Sequence, residues 1–232
     1  MDRNSNTYTF LYAAIMVIVV AAVLASVSLA LKPAQKKNVE IEKKQNILAS
    51  VNIESTAETA EAIYADKVVD EYLVNTKGEK VDGNAFTTDL KKERAKSFEE
   101  MVLPVFVCKT DEGTKYVLPV YGAGLWGPIW GYVSVSDDMN TIFGANFDHE
   151  GETPGLGAEI STTGFEVQFK GKQIFDEAGK MVSVTVAKAG QVAPEAHKVD
   201  AISGGTITSK GLEKMLLDDF AGYEAFLNKN KN

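Results

Sequence analysis

The most apolar part of the chain lies near its N-terminus, where residues 9–31 contain no charged side chain. A helix of about 20 apolar residues is long enough to cross the core of a bilayer. A cleaved signal peptide normally has a shorter apolar region, about 7–15 residues, behind a positively charged start. This run is longer and its start is nearly neutral. We therefore predict a tail at 1–8 and a retained transmembrane helix at 9–31.

The next segment, residues 32–54, is polar and charged. We predict a juxtamembrane linker or helix here, because its apolar positions are too sparse to form a core. Those positions are Val39, Ile41, Ile47, Leu48 and Val51. Ser55 and Glu58 have the spacing of a capping box, whose two side chains bond backbone donors at the start of a helix. We place the start of the folded domain, residues 55–232, at this point.

From about residue 101 the pattern changes to short runs of β-branched and aromatic residues, which is typical of strands. The predicted strands are 102–108, 115–121, 129–136, 141–148, 165–169 and 181–186. Residues 111–113 predict a hairpin loop between the first two. From about Ser209 to Asn228 the apolar residues return to helical spacing. The predicted fold class is α+β, with a single N-terminal transmembrane helix followed by one mixed α/β domain.

Charge is distributed unevenly along the chain, whose net charge is −8. Residues 32–49 hold five lysines and two glutamates, so the acidic excess lies after residue 49. Nucleic-acid binding needs clustered basic side chains, and we exclude it for so acidic a domain. The lysines after the apolar run place the domain in the cytoplasm by the positive-inside rule, which weakens where a long domain follows.

The chain has one cysteine and two histidines, which excludes an intramolecular disulfide and disfavours a metal site. We expect Cys108 to be a buried, unreactive thiol. The sequence contains no dinucleotide-binding glycine fingerprint and no cysteine cluster for an iron–sulfur centre. We therefore predict no metal ligands.

Two glycine-rich segments each allow two interpretations. Residues 121–132 combine four glycines with four aromatic residues. They are either a tight corner between two strands or a ledge for a flat ring, since glycine permits close backbone approach and aromatic side chains offer flat faces. Residues 149–158 contain three glycines, a proline and the apolar Leu156. They are either a long surface loop or a loop that contacts a ligand.

A third segment, residues 200–209, carries the strongest chemical signal. Ser203, Thr206, Thr208 and Ser209 place four hydroxyls within seven residues, just before the predicted C-terminal helix. One hydroxyl is enough to cap a helix. A helix N-terminus offers free amides and a favourable dipole to an anion, so the segment predicts a phosphate site. The spacing of a P-loop is absent, because Lys210 follows the hydroxyls.

The run Ser203-Gly204-Gly205-Thr206, preceded by Asp200, resembles the flavin-attachment motif Asp-x-x-Ser-Gly-Ala-Thr of FMN-binding domains. The Gly-Leu-Trp run at 124–126 and the Glu-Thr-Pro-Gly-Leu-Gly run at 152–157 are also similar to that family. With the N-terminal anchor, the resemblance covers nearly the whole chain. It is closest to the C subunits of Na⁺-translocating NADH:quinone reductases, and the G subunits of Rnf complexes share the domain.

The resemblance implies an FMN bound covalently, through a phosphoester to the last threonine of the motif. That residue is Thr206, and Thr208 is a minor alternative acceptor. The family's alanine is Gly205 here, and its missing methyl group is expected to loosen the turn. In this interpretation the phosphate turn is shaped by Ser203, Gly204, Gly205 and Thr208. Lys210 would offset the phosphate charge.

The same resemblance implies where the isoalloxazine ring lies, within an FMN-binding region of about residues 115–221. The residues expected to border the ring are Glu152, Thr153, Leu156 and Gly157. Leu125 and Trp126 would complete the pocket. No residue of this chain is given a catalytic role, because the redox chemistry belongs to the flavin.

For the whole assembly, the resemblance implies NADH oxidation, quinone reduction and sodium export, with the A, B, D, E and F subunits as partners. A flavin transferase of the ApbE type would attach the FMN. The chain would be a single-pass protein of the bacterial inner membrane with its domain in the periplasm. We prefer this location to the cytoplasmic one that the lysine count predicts. Two alternatives stay open: the G subunit of an Rnf-type ferredoxin:NAD oxidoreductase, and an anchored binding module without a redox role.

Overall fold

The computed structural model describes residues 6–231, which divide into an N-terminal unit ending at Lys43 and a folded unit beginning at Lys44. Helix α1 spans Asn6–Ser50. Its apolar N-terminal part is exposed, and by length and composition it could cross a membrane. The part of the predicted tail that precedes residue 6 lies outside the described residues. The segment after residue 31 continues as helix to Ser50 and is not an extended linker.

The folded unit is built on a six-stranded sheet in which every neighbouring pair is antiparallel. Its spatial order is β2-β1-β3-β4-β5-β6. The strands are β1 (Val68–Asn75), β2 (Lys80–Val81), β3 (Val102–Thr110), β4 (Gly113–Ala123), β5 (Pro128–Val135) and β6 (Ile142–His149). Strands β3 to β6 confirm four of the predicted strands, and the hairpin between β3 and β4 is also confirmed.

Helix α5 (Thr206–Asn230) packs on one face of the sheet and begins slightly earlier than the sequence predicts. Its apolar side chains join those of β3, β4 and β5 in the larger core cluster. Tyr223, fully buried in this layer, donates its hydroxyl to the carbonyl of Pro104 at 2.8 Å. The helix is therefore held against the middle of the sheet by apolar contact and by a hydrogen bond.

The opposite face of the sheet is covered partly by the end of α1. Ile47, Leu48 and Val51 are buried there, so the expectation that residues 32–54 add nothing to a core is wrong for these three. Their spacing of one and three residues puts them on one side of a helix. Cys108 is buried in the same layer, as expected, and burial raises the pKa of its thiol to about 12.

The predicted capping box does not form. Helix α2 (Ala60–Lys67) begins after Thr59, and no side chain caps it. The hydroxyl of Thr56 instead donates to the carboxylate of Glu58 at 2.7 Å, which removes Glu58 from the capping role. Two further short helices are α3 (Leu90–Glu93) and α4 (Thr163–Glu166).

Two predicted strands are wrong in whole or in part. Residues 165–169 form helical turns, and Phe165 and Phe169 are buried while Val167 is exposed. Of residues 181–186, only the last two belong to a strand, β7 (Thr185–Ala187), which pairs in parallel with β8 (Lys198–Asp200). Ser183 has a positive φ of 60°, a conformation incompatible with a continuous strand.

Candidate functional site

Antiparallel pairing brings two of the glycine-rich segments to the same end of the sheet. The turn between β4 and β5 is closed by a hydrogen bond from the amide of Gly124 to the carbonyl of Gly127 at 2.8 Å. Ile129, near the start of β5, lies opposite His149 at the end of β6. The loop that leaves β6 therefore begins beside this turn, and the amide of Glu150 donates to the carbonyl of Pro128 at 3.1 Å.

The loop after β6 folds back on itself before the chain re-enters the core. The amides of Leu156 and Ala158 both donate to the carbonyl of Thr153 at 3.1 Å. A single helical turn, Gly157–Ser161, follows and buries Ile160 in the larger core cluster. The loop is thus anchored at both ends, with Leu156 at its exposed tip.

The third segment connects β8 to α5 through a tight turn. The amide of Gly205 donates to the carbonyl of Ile202 at 3.1 Å, and the hydroxyl of Ser209 accepts from the amide of Ile202 at 3.2 Å. Gly204 has a φ of +76°, a left-handed conformation that favours glycine. One of the four hydroxyls of the sequence motif therefore stabilises the turn.

The N-terminus of α5 is open. Gly205 occupies the capping position, and no side chain caps the helix. The amides of the first turn, Thr206 to Thr208, have no acceptors within the helix because of helical geometry. Amides in this arrangement, together with the helix dipole, favour a bound anion such as a phosphate ester.

The two threonines of the first turn lie in different surroundings. Thr206, the first residue of α5, is exposed. Thr208 is only 1% exposed, and its hydroxyl donates to Oε2 of Glu152 at 2.5 Å. Of these two threonine hydroxyls, that of Thr206 is the one accessible to a large reactant.

Glu152 joins all three segments. One carboxylate oxygen accepts from Thr208, and the other accepts from the amide of Trp126 at 2.8 Å. Its own amide donates to Nδ1 of His149 at 3.2 Å. Burial acts to raise the pKa of this carboxyl, but the hydrogen bonds from Thr208 and from the amides of Trp126 and Leu125 outweigh it and hold the pKa below its usual value. The group is therefore an ionised acceptor at neutral pH.

Exposed apolar side chains lie on two of the segments that Glu152 joins. Trp126 is 69% exposed, Leu125 is 47% exposed and Leu156 is 42% exposed. A groove of about 680 Å³ runs between the turn that carries Leu125 and Trp126 and one side of α5. These surfaces offer apolar contact to a flat ring.

The structure brings most of the predicted site residues together around the start of α5. Ser203, Gly204 and Gly205 form the turn, Gly157 packs beside Glu152 and Thr208, and Thr153 closes the loop with its carbonyl. Lys210 is exposed on the same helix, and within residues 6–231 it forms no ion pair. The side chain of Glu152 is directed to Thr208 and Trp126 inside the site.

Sequence reasoning missed several residues that line the groove. Lys91 and Arg94 come from the region of α3, and Lys214 and Asp218 come from α5. Arg94 pairs with Asp218 and with the buried Asp219, both at 3.3 Å. No local pattern signals these contacts, because they join residues more than one hundred positions apart.

The family model of the FMN-binding domain matches residues 124–218 of this chain, which include the turn between β4 and β5, the loop after β6 and the turn before α5. The fold and the site therefore define a protein with an FMN-binding domain and one long N-terminal apolar helix.

Individual relatives indicate which family within this class the chain resembles. The C subunit of the Na⁺-translocating NADH-quinone reductase of Neisseria meningitidis serogroup B is 31% identical, over 100% of this chain and 96% of the relative. The crystal structure of the corresponding protein of Parabacteroides distasonis is 49% identical, covers 85% of this chain and 96% of that one, and superposes with a TM-score of 0.80. NqrC of Shewanella oneidensis is 31% identical with a TM-score of 0.69, covering 85% of this chain and 99% of that one.

The chain belongs to the family of C subunits of Na⁺-translocating NADH-quinone reductases. The resemblance seen in the sequence is confirmed, and so is the α+β fold class. The relatives are named as subunits of an oxidoreductase complex, and the FMN-binding domain makes this chain a flavoprotein subunit of that family.

Proposed function

We propose that this chain carries an FMN attached by a phosphoester to Thr206 and acts as an electron carrier within a Na⁺-translocating NADH:quinone reductase. The observation that supports the proposal most is the contrast between the two threonines of α5. The exposed hydroxyl of Thr206 is accessible to a flavin nucleotide, whereas Thr208 is buried and bonded to a carboxylate.

The residues around Thr206 suit a nucleotide phosphate. The turn contains two consecutive glycines, and the amides of the first turn of α5 are not capped by a side chain. A phosphate ester at Thr206 would lie at the positive end of the helix dipole, which stabilises its negative charge. Lys210, one turn further along α5, would add a positive charge close to the phosphate.

The apolar residues of the site suit the ring of the flavin. Leu125 and Trp126 on the β4–β5 turn and Leu156 on the loop after β6 expose much of their apolar surface. Thr153 and Gly157 hold the loop that presents Leu156. The bound FMN supplies reversible electron transfer, and the residues of this chain hold it in place and limit the access of water.

Attachment requires an activated donor, which we name by its chemistry as a phosphoanhydride of FMN. The bond between the Thr206 oxygen and phosphorus forms as the anhydride bond breaks. The hydroxyl proton leaves with the released phosphate group, so no oxidant is needed. A flavin transferase of the ApbE type would catalyse this step.

We further propose the assembly and location that the relatives' names and the sequence suggest. The partners are the other subunits of the reductase, A, B, D, E and F. The apolar part of α1 anchors the chain in the bacterial inner membrane, and the domain lies on the periplasmic side. A covalent bond suits that side of the membrane, because a cofactor that dissociates there is lost.

The proposal is tested by co-expressing the full chain with a flavin transferase and separating the denatured protein on a gel. We expect in-gel flavin fluorescence from the wild type and from Thr206→Ser, which keeps a hydroxyl. Thr206→Ala should lose the fluorescence completely. Thr206→Ala that fluoresces as strongly as the wild type would refute the attachment site.

The alternatives predict different results in the same experiment. A binding module without a redox role would give a colourless protein with no fluorescent band in any variant. An Rnf-type G subunit would show the same fluorescence, but it would co-purify with a multi-cluster ferredoxin-like subunit. Each of the relatives named above is a C subunit of the sodium-translocating reductase, which favours the first function.

A further inference from the structure

One buried carboxylate bonds both to the turn between β4 and β5 and to the first turn of α5. Oε1 of Glu152 accepts from the amide of Trp126 at 2.8 Å, and Oε2 accepts from the hydroxyl of Thr208 at 2.5 Å. Glu152 itself belongs to the loop after β6 and is 5% exposed. The residue Glu152 therefore connects three segments that are distant in sequence.

Given attachment at Thr206 as proposed above, we propose that Glu152 is a positioning residue that selects the acceptor and fixes the flavin site. It holds the hydroxyl of Thr208 inside the domain, so that Thr206 is the one hydroxyl of this turn presented for modification. It also fixes the backbone that carries Leu125 and Trp126 relative to α5.

Both carboxylate oxygens of Glu152 already accept hydrogen bonds within the chain. This positioning role therefore differs from that of a residue that contacts the flavin ring. An ionised carboxylate accepts hydrogen bonds only, so the hydroxyl of Thr208 must be the donor in this pair. With one oxygen on Thr208, the other on Trp126 and only 5% of the residue exposed, Glu152 offers almost no surface to a flavin. We therefore assign it to positioning and leave ring contact to the exposed apolar side chains.

A carboxylate beside a hydroxyl can also act as a general base, which would make Thr208 the nucleophile. The burial of Thr208 argues against this, because its oxygen cannot approach a phosphorus atom without opening the turn. The negative charge of Glu152 would also repel a phosphate at Thr208. Both effects direct modification to Thr206, two residues nearer the open end of the helix.

Two glycines pack closely against the Glu152–Thr208 pair. A methyl group added at Gly157 would collide with Oε2 of Glu152 and with Oγ1 of Thr208. A methyl group added at Gly124 would collide with Oε1 of the same carboxylate. Glycines on two separate segments thus permit the close approach that the carboxylate needs.

The test uses the full chain co-expressed with the flavin transferase and compares Glu152→Leu, which removes both acceptor oxygens at similar size, with Glu166→Leu. Glu166 is a matched control, because its carboxylate also accepts from a backbone amide, that of Phe147 at 2.7 Å, but it lines a different groove. Thr208→Val removes the hydroxyl at nearly constant size, and Thr208→Ser restores it. For each variant we measure the modified fraction, the visible circular dichroism of the attached flavin and the melting temperature.

We expect Glu152→Leu to lower the modified fraction reached in a fixed time about tenfold relative to Glu166→Leu, because the reacting hydroxyl is no longer held in position. The visible dichroism per flavin should change, because the surroundings of the ring are no longer fixed. Thr208→Val should shift both quantities in the same direction and Thr208→Ser should restore them. Adding Thr208→Val to Glu152→Leu should have little further effect, since each change breaks the same contact.

The proposal is overturned if Glu152→Leu matches Glu166→Leu in modified fraction and in dichroism, whatever its melting temperature. It is also overturned if Thr206→Ala becomes modified at Thr208 while Glu152 is intact. Absence of covalent flavin from the wild-type chain would instead contradict the proposed function itself. A failure of the positioning role of Glu152 and a failure of the proposed function can therefore be distinguished in one set of samples.

Discussion

At the scale of single residues, the site depends on close approach between atoms that a larger side chain would separate. Gly157 is buried against the carboxylate of Glu152 and the hydroxyl of Thr208. Gly204 supplies the left-handed conformation that turns the chain from β8 into α5. The identities of these small residues therefore matter as much as those of the residues that bear functional groups.

Gly157→Ala tests this packing. The added methyl group would push against two polar atoms of the site, and overpacking of this kind costs about 1–3 kcal/mol. We expect a melting temperature lower by several degrees and a reduced modified fraction. The matched control is Gly164→Ala, where an added methyl group meets no atom within 4 Å. Equal behaviour of the two variants would show that the contact at Gly157 is not tight.

At the scale of elements, Asp219 connects the middle of α5 to the sheet and to the end of α3. This carboxylate is fully buried and accepts from the amide of Tyr121 in β4 at 2.9 Å. It also pairs with Arg94 at 3.3 Å, but its Oδ1 has no aligned hydrogen bond. Burial raises the pKa of Asp219 to about 7, against the opposing effects of Arg94 and the Tyr121 amide, while Asp218 adds to the increase.

The raised pKa of Asp219 predicts a pH dependence of stability. A carboxyl whose pKa is higher in the folded chain than in the unfolded chain binds its proton more tightly when folded. The stability that this tighter proton binding adds to the folded chain is fully present below about pH 4 and is lost as the pH rises to about 7. The slope from this one group is at most about 1.4 kcal/mol per pH unit.

Asp219→Asn removes the titrating group and should remove that slope. As the pH rises from 4 to 8, the unfolding free energy of the wild type should fall relative to that of Asp219→Asn. Chemical denaturation over this pH range measures the difference. Two parallel curves over this range would show that Asp219 does not titrate there.

Strand and helix predictions succeeded where the pattern was long and local. Strands β3 to β6 are eight or more residues long and rich in β-branched and aromatic residues, so the sequence alone locates them. Residues 165–169 alternate between apolar and polar positions, but Phe165 and Phe169 are four positions apart and share the buried side of two helical turns, where they contact Phe147. Five residues are too few to separate a period of two from one of nearly four.

The candidate site was predictable only in part, for a related reason. The motif at 203–206 and the two glycine-rich loops are local patterns, and they indicate a phosphate and a ring. The engagement of Glu152 by Thr208 and Trp126 is not local, because these residues come from three segments that only the folded sheet brings together. The roles of Arg94 and Asp219 could not be predicted from the sequence for the same reason.

At the scale of the whole molecule, the chain combines an apolar helix with a domain whose core extends into the end of that helix. Ile47, Leu48 and Val51 are buried in the folded unit, which begins at Lys44. A boundary at residue 55, as the sequence suggests, would remove them. Each buried Ile or Leu is worth about 2–5 kcal/mol, against a total stability of about 5–15 kcal/mol for a typical domain.

Two truncated chains test where the folded unit begins. We expect residues 44–232 to give a soluble protein with a cooperative thermal transition, and residues 55–232 to aggregate or to melt without one. The full chain should sediment with membranes, whereas the fragment 44–232 should not. Cooperative folding of 55–232 with the same melting temperature as 44–232 would contradict the assignment of these core residues.

The central claim is that Thr206 bears the flavin, and the most direct measurement is the mass of the peptide that contains it. Trypsin should release residues 199–210 from the chain isolated from its native membrane. We predict a mass equal to the unmodified peptide plus FMN less one water, with fragment ions that place the addition on Thr206. A peptide found only at its unmodified mass, or modified on Thr208, would contradict the account.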